Sequence, residues 1–504
     1  MSNMDGRALR SEASSCRKIM GVSVALVTVA SLMSTTVYGQ SVDLSQWSPE
    51  YVKSIAGTKT FDTAADCGAV VPNDYAGTVS YWYTGPFEAD PIISHEQDKA
   101  FWDAFHAAYP NIKTDVQSIT YNELLDKFRT ALLGNSAPMV IRLQILGGVE
   151  FAAKGYLNPI TPEDYGFTAA DFWPGALKSV TYDNTLYGLP TNNETMAFIW
   201  NAKVFADAGL DPEKAPATWD DVVAYSKQIK DKLGISGYGL VAKQNAGNTP
   251  FRFMPQLWAN GGGALDETAP NPTYATVEIN NEGSRAAVQA AYQMYAVDKS
   301  VPISALTNTQ AENQAPFIAG QLGMMIAHPS EYAKMLDLAG KATGSDKEVA
   351  DAVVANMRYG LLPTGPDGKR AVVFGGSNIH VVKPEFVDGG AVDEQAVKAL
   401  ICMWDSPEWS TKLNWAGSNP GNINGFLTDA MKERLDTIKF LDVTTSMLPS
   451  GIPFPVLPES PEIMNIVVPD MLQNALTGTM TVEEATEDAA KKIETIIGGG
   501  GAGI

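Results

Sequence analysis

Between Thr78 and Leu133 the chain alternates strand and helix twice, and that order narrows the folds open to it. Thr78-Val79-Ser80-Tyr81-Trp82-Tyr83 is β-branched and aromatic, and Thr84-Gly85-Pro86 ends it. From Glu96 to Ala108, continuing to Tyr109, the residues Phe101, Trp102, Phe105 and Tyr109 fall at helical spacing. Ile112 to Ile119 alternates as a second strand, and Tyr121 to Leu133 is helical again. A β-α-β-α order implies a parallel sheet in an α/β fold. Ligands of such sheets bind outside the C-terminal ends of the strands.

Further along, Gly188 and Pro190 close a loop, and Thr195 to Trp200 is apolar enough for a buried strand. Asn201 is placed as an N-cap, Ala202 to Ala208 has helical composition, and Gly209 follows as a C′ residue. Asn192, Asn193 and Glu194 thus sit on a loop entering a buried strand, where polar groups are well placed for a ligand. Thr218 and Asp221 open another helix as a capping box, as do Thr481 and Glu484 near the end. A helix from Phe253 stops at Asn260-Gly261-Gly262-Gly263. Those glycines lack the Lys-Ser/Thr of a nucleotide loop and read as a helix stop.

The first residues read as an export signal. Arg7, Arg10, Arg17 and Lys18 precede the uncharged run Ile19 to Met33, and Val37-Tyr38-Gly39 offers a cleavage site near Gly39. The alternative is a signal anchor, but the run is short for a membrane span. Cys16 precedes the apolar run and so cannot be a lipid-bearing cysteine after cleavage. The mature protein is expected free in the periplasm. Cys67 and Cys402 remain, equally compatible with a disulfide and with two free thiols. Residues 40–77 have poor periodicity and read as an N-terminal extension on the surface. The net charge of −21, from 36 Lys+Arg against 57 Asp+Glu, argues against a nucleic-acid partner.

Several phrases together resemble the extracellular solute-binding proteins related to maltose-binding protein, the carbohydrate-binding subunits of bacterial ABC importers. They are Tyr109-Pro110-Asn111-Ile112-Lys113, Asp126-Lys127-Phe128-Arg129, the stretch Gly188 to Asp211, Pro216-Ala217-Thr218-Trp219-Asp220, and Phe317 to Met325. The resemblance covers most of the chain after Thr78. It departs at Arg142-Leu143-Gln144, where an acid or amide is usual near the strand end, and at His328-Pro329-Ser330, where an aromatic is usual. It implies a two-lobe periplasmic binding protein fold, with discontinuous lobes joined by a multi-segment hinge and a ligand cleft between them. Residues 78–193 and 375–430 would form one lobe, and 196–372 and 435–497 the other. It also implies a monomer that docks on a membrane permease, with no cofactor and no metal.

A sugar presents hydroxyl edges and apolar ring faces, so its site needs flat rings and fixed polar groups. The expected ligand contacts are Tyr83, Glu88, Gln144, Asn193, Glu194, Trp258, Asn260, Gly375, Gly376 and Ser377. Each ring is equally at home in a core. Glu88 reads as well as a solvated loop charge, and Asn193 as a turn former. Of the four histidines, His95, His106, His328 and His380, none has a Cys or His at ligand spacing, and His328 beside Pro329 stands out. No Gly-x-Ser-x-Gly elbow is present. Two other readings stay open: an exported glycoside hydrolase using Glu88 and Glu194, and a receptor for a non-sugar solute such as a polyamine.

Overall fold

The first strand buries Val79, Tyr81 and Tyr83 in strict alternation, leaving Trp82 to the opposite face, where the Lys127 ammonium lies 4.9 Å from its ring. The computed structural model describes residues 36–37, 40–41, 61–86, 92–244, 247–269 and 272–498. Nearly all of the expected signal segment, most of residues 40–60, Glu88 and the tail after Gly498 lie outside them. The described residues belong to one compact unit, Ser34–Ile504.

Ten strands build two sheets: β1 Gly77–Tyr83, β2 Ile112–Ser118, β3 Val140–Gln144, β4 Leu189–Glu194, β5 Ala197–Asn201, β6 Ser236–Tyr238, β7 Leu322–Ala327, β8 Met357–Gly360, β9 Gly375–Val381 and β10 Asn419–Pro420. The first sheet has the order β10-β4-β9-β3-β1-β2, and the second β6-β7-β5-β8. In the first, β1 runs parallel to β2 and β3, as the strand-helix alternation requires. Strand β9 then inserts antiparallel between β3 and β4. The chain leaves the first sheet at Glu194, enters the second at Ala197, and returns between Gly360 and Gly375.

Local signals set the element ends. The Asn201 side chain accepts from the N–H groups of Lys203 and Val204, and Gly209 ends that helix with φ +80°. Thr218 and Asp221 bond each other's backbone N–H, closing the capping box of helix Trp219–Leu233. Strand β3 begins at Val140, just past Pro138, which cannot donate to a ladder.

Each sheet has its own apolar core. Around the second, Phe198, Trp200, Trp219, Trp258, Met324 and Phe454 are almost wholly buried, together with the C-terminal helices through Ile493. Around the first, Tyr81, Phe101, Phe105 and Trp404 cover one face, and Phe128, Leu143 and Phe151 the other. A smaller cluster with Ile145, Trp173, Phe374 and Leu441 lies apart from both.

The expected surface extension behaves differently from Phe61 on. Helix Thr63–Val70 packs on helix Glu394–Trp404, and Cys67 and Cys402 are joined by a disulfide with Cα atoms 5.7 Å apart. The Tyr109 hydroxyl donates to the Cys67 carbonyl at 2.9 Å, and Phe61 stacks on Phe167. Cys67 and Val71 point inward, a signal too brief to show as periodicity. Such a cross-link belongs to an oxidising compartment. Replacing both cysteines by serine should lower stability by about 2–4 kcal/mol, read from the denaturant midpoint. An unchanged midpoint, or thiols that titrate in the unreduced protein, would contradict the link.

Candidate ligand cleft

Strand register gathers most of the expected contacts at one end of the first sheet. Ser377 pairs with Gln144 on one side and Asn192 on the other, Gly376 with Asn193, and Gly375 with Glu194. Gln144, Asn193, Glu194, Gly375, Gly376 and Ser377 are therefore brought together. Gly376 is required here: its φ is +142°, and a Cβ would stand 2.1 Å from the Asn192 carbonyl oxygen.

Glu194 is the hub. Its Oε1 accepts from Asn192 Nδ2 at 2.8 Å and from the Ser418 hydroxyl at 2.6 Å. Its Oε2 lies 3.7 Å from His328 Nε2, across from the first sheet at the end of β7. The backbone N–H of Ser330 donates to His328 Nδ1, so the neutral ring carries its proton on Nε2, toward Glu194. Burial pushes the Glu194 carboxyl up. His328, the Ser418 bond, Arg142 and Asn192 outweigh it and hold the group below the usual carboxylate range.

Arg142 and Gln144 share one face of β3, as alternation demands. Arg142 donates to Thr191 Oγ1 at 2.8 Å and to Asn192 Oδ1 at 2.7 Å, backing the Asn192–Glu194 bond. Gln144 donates to the Tyr121 carbonyl at 2.8 Å, leaving its Oε1 without a partner. Asn193 donates to the Pro420 carbonyl and also keeps an unpartnered Oδ1. These are neutral acceptors fixed in place by their own donors.

The second sheet's elements supply the opposite wall. Arg252, on helix Asn248–Ala259, is buried and bonds Glu331 and Asn248. Glu331 also accepts from the His328 N–H at 3.1 Å. Tyr121 reaches toward this wall from the first sheet's side. Its hydroxyl stands 3.6 Å from where a Cβ would sit on Gly247. The residue is 41% exposed, yet surrounding protein, together with Glu194, pushes its phenol up to about 12.

The turn 413–418, after helix Pro407–Lys412, closes one end. Arg434, fully buried, donates to the carbonyls of Trp415, Asn414, Ser418 and Thr411. Burial pushes its guanidinium down to about 9, so it stays charged at neutral pH. Gly417, with φ +149°, presses on the helix that starts at Pro329; a Cβ there would lie 2.2 Å from Ser330 N.

Other expected contacts are placed elsewhere. The Tyr83 ring stacks on Tyr81 at 5.0 Å and meets Trp404 edge-on, and its hydroxyl donates to Asp98. Trp258 is 0% exposed, in the second sheet's core near Phe454, so it offers no ring face. Asn260 caps its helix by donating to the Gln256 carbonyl. Tyr83, Asn193 and Trp258, expected to share one hollow, do not. Glu88 lies outside the described residues. Sequence reasoning missed Tyr121 and Arg252 and left Arg142 as an anomaly, whereas Ser418 to Asn422 takes the place of a short cleft loop in the resemblance. The pattern Arg142-x-Gln144 at a strand end was the readable signal. His380 belongs to the core, with Nδ1–H donating to the Tyr187 carbonyl at 2.7 Å.

A family model described as bacterial extracellular solute-binding protein matches residues 93–401. A probable amino-acid ABC transporter periplasmic-binding protein of Sinorhizobium fredii is 23% identical over 447 residues, spanning 86% of this chain and 93% of that protein. An sn-glycerol-3-phosphate-binding periplasmic protein of Escherichia coli is 21% identical, spanning 82% and 91%. Maltose-bound MalE3 of T. maritima superposes with a TM-score of 0.69 at 22% identity, over 84% of this chain and 100% of that one. A solute-binding protein of Thermotoga lettingae bound with α-D-tagatose gives 0.68 at 22% identity, with the same coverage. The two-lobe fold is thus shared with these structures.

The depressed Glu194 carboxyl fixes a pH dependence. A folded value below the unfolded one contributes stability that is present above the ordinary value of 4.5 and lost as pH falls through the folded value. Thermal melts between about pH 3 and pH 6 should show Glu194→Gln losing less stability on acidification than the parent chain. Parallel acid limbs for the two proteins would remove Glu194 from this role.

Proposed function

Because the chain belongs to the bacterial extracellular solute-binding protein family, we propose that it is the periplasmic substrate-binding subunit of a mono- or oligosaccharide ABC importer. One observation carries the reading: a carboxylate of the first sheet, Glu194, faces His328 at the end of a strand of the second, with Asn192 and Arg142 bonded in line behind it. A hydroxyl group donates to such a carboxylate and accepts from Arg142 or Tyr121. The Phe251 ring, in contact range of Gly375, supplies apolar surface for a ring face. Structural neighbours carry maltose and α-D-tagatose, which supports a sugar.

In this reading the lobes are residues 78–193 with 375–430 and residues 196–372 with 435–497, hinged where the chain crosses between sheets. Ligand draws them together because the closed state offers more contacts. The closed form then docks as a monomer on the permease, and the ligand leaves unaltered. Export follows cleavage of the leader near Gly39, and the acidic surface serves no nucleic acid. A phosphorylated polyol is the second reading, favoured by Arg142 and Arg252 on opposite sides of the cleft and by the glycerol-phosphate-binding relative.

A thermal-shift screen over mono- and oligosaccharides, sn-glycerol 3-phosphate, amino acids and polyamines tests this. A tight ligand at 100 times its Kd adds about 2.7 kcal/mol of stability. A shift with a sugar, and no new reducing ends after incubation, is expected. A shift only with sn-glycerol 3-phosphate would move the assignment to the second reading, and one only with amino acids or polyamines would end both. Gly417→Val should weaken the ligand about tenfold or more by holding turn 413–418 off Ser330, about 1.4 kcal/mol. Affinity equal to the parent's would show that this contact has no part in closure.

A further inference from the structure

Helix Val468–Leu476 is preceded by a flaw. Ser460–Glu462 is α-helical too, but Ile463–Val467 between the two is a π-turn. In an α-helix the Asn465 carbonyl would accept from the N–H of residue 469, and Pro469 has none. The turn widens instead, and the Val468 N–H reaches back to the Ile463 carbonyl. Ile463, Met464 and Val467 stay in the second sheet's core. Asn465 and Ile466 are turned outward: Asn465 is half-buried and Ile466 is 43% exposed. Turns of this kind are frequent at functional sites.

Asn465 turns toward the cleft. Where a Cβ would stand on Gly247, Asn465 Oδ1 lies 3.2 Å away and the Tyr121 hydroxyl 3.6 Å. Gly247 leads into helix Asn248–Ala259, which carries Arg252, whereas Tyr121 opens a helix on the first sheet's side. Glu194 and Arg252 both act on the Tyr121 hydroxyl, so this point lies between the two walls. Asn465 Oδ1 is buried there and has no hydrogen-bond partner.

A buried acceptor without a donor weakens the fold that carries it. It gains a purpose where a solute brings the donor. We infer that Asn465 is a specificity-determining residue of the cleft, accepting a hydrogen bond from a hydroxyl of the bound solute opposite Tyr121. In the sugar-binding reading, on which this rests, Glu194 takes one hydroxyl on the first sheet's side and Asn465 another on the second's. The solute must therefore present hydroxyls at two places. One that lacks the second leaves the Asn465 oxygen unpaired and is rejected for that reason.

The test titrates the mature protein by calorimetry with maltose, D-tagatose and sn-glycerol 3-phosphate, as the parent chain, Asn465→Leu and Asn465→Asp. Each protein is also melted without solute. Asn465→Leu removes an acceptor that has no partner in the protein, so it should melt at or above the parent temperature. It should bind whichever sugar the parent binds about tenfold more weakly or worse. Asn465→Asp keeps an acceptor and should stay within about threefold of the parent. Equal affinity in the parent and Asn465→Leu, or a melting temperature that falls in step with affinity, would overturn the role. A parent that takes only sn-glycerol 3-phosphate ends the sugar reading, and the same comparison with that solute still decides on Asn465. A parent that binds none of the three overturns both.

Discussion

The buried charge of Arg434 has no carboxylate beside it among the described residues, and backbone carbonyls from the end of helix Pro407–Lys412 and the turn after it answer it. A guanidinium offers five donors in a fixed fork, so it can satisfy several carbonyls at once and lock their geometry. That lock sets turn 413–418, and through it the place of Ser418 beneath Glu194 and of Gly417 against Ser330. Remove it and several carbonyls lose their donor inside the protein, each at about 1–3 kcal/mol. The hydrogen-bonded chain from Arg142 through Asn192 and Glu194 to Ser418 rests on this one side chain at its far end.

Charge is distributed unevenly in this acidic protein. Although the chain carries −21, Arg142, Arg252 and His328 converge on the cleft, where Glu194 and Glu331 meet them. Local neutrality inside an acidic shell lets the walls approach without like-charge repulsion. It also explains why Glu194 remains ionised there despite burial.

The strand-helix order, the caps at Asn201 and Thr218 and the polar run at Asn192–Glu194 were all readable, because they depend on neighbours in sequence. So was the meeting of Gln144, Ser377 and Asn193, once the strands were placed in one sheet. What could not be read was which side of its own element a ring turns to. Tyr83 sits at a strand's C-terminal end, but helix Glu394–Trp404, distant in sequence, supplies Trp404 to cover it. Trp258 precedes a glycine turn as a cleft ring would, yet its helix turns that face into the second sheet's core. Arg142 looked like a broken motif because its partners, Thr191 and Asn192, lie on another strand. The same separation hid the Cys67–Cys402 link.

The order of the first sheet has a consequence for biogenesis. Its strands come from residues 77 to 144, then 189 to 194, then 375 to 381 and finally 419 to 420, with the whole second sheet encoded in between. Strand β4 has β9 on one flank and β10 on the other, so one edge waits until the ribosome has passed residue 381 and the other until residue 420. A polypeptide that cannot complete its first folding unit during synthesis remains threadable. Late completion leaves the first sheet open at a flank until its last strand is made.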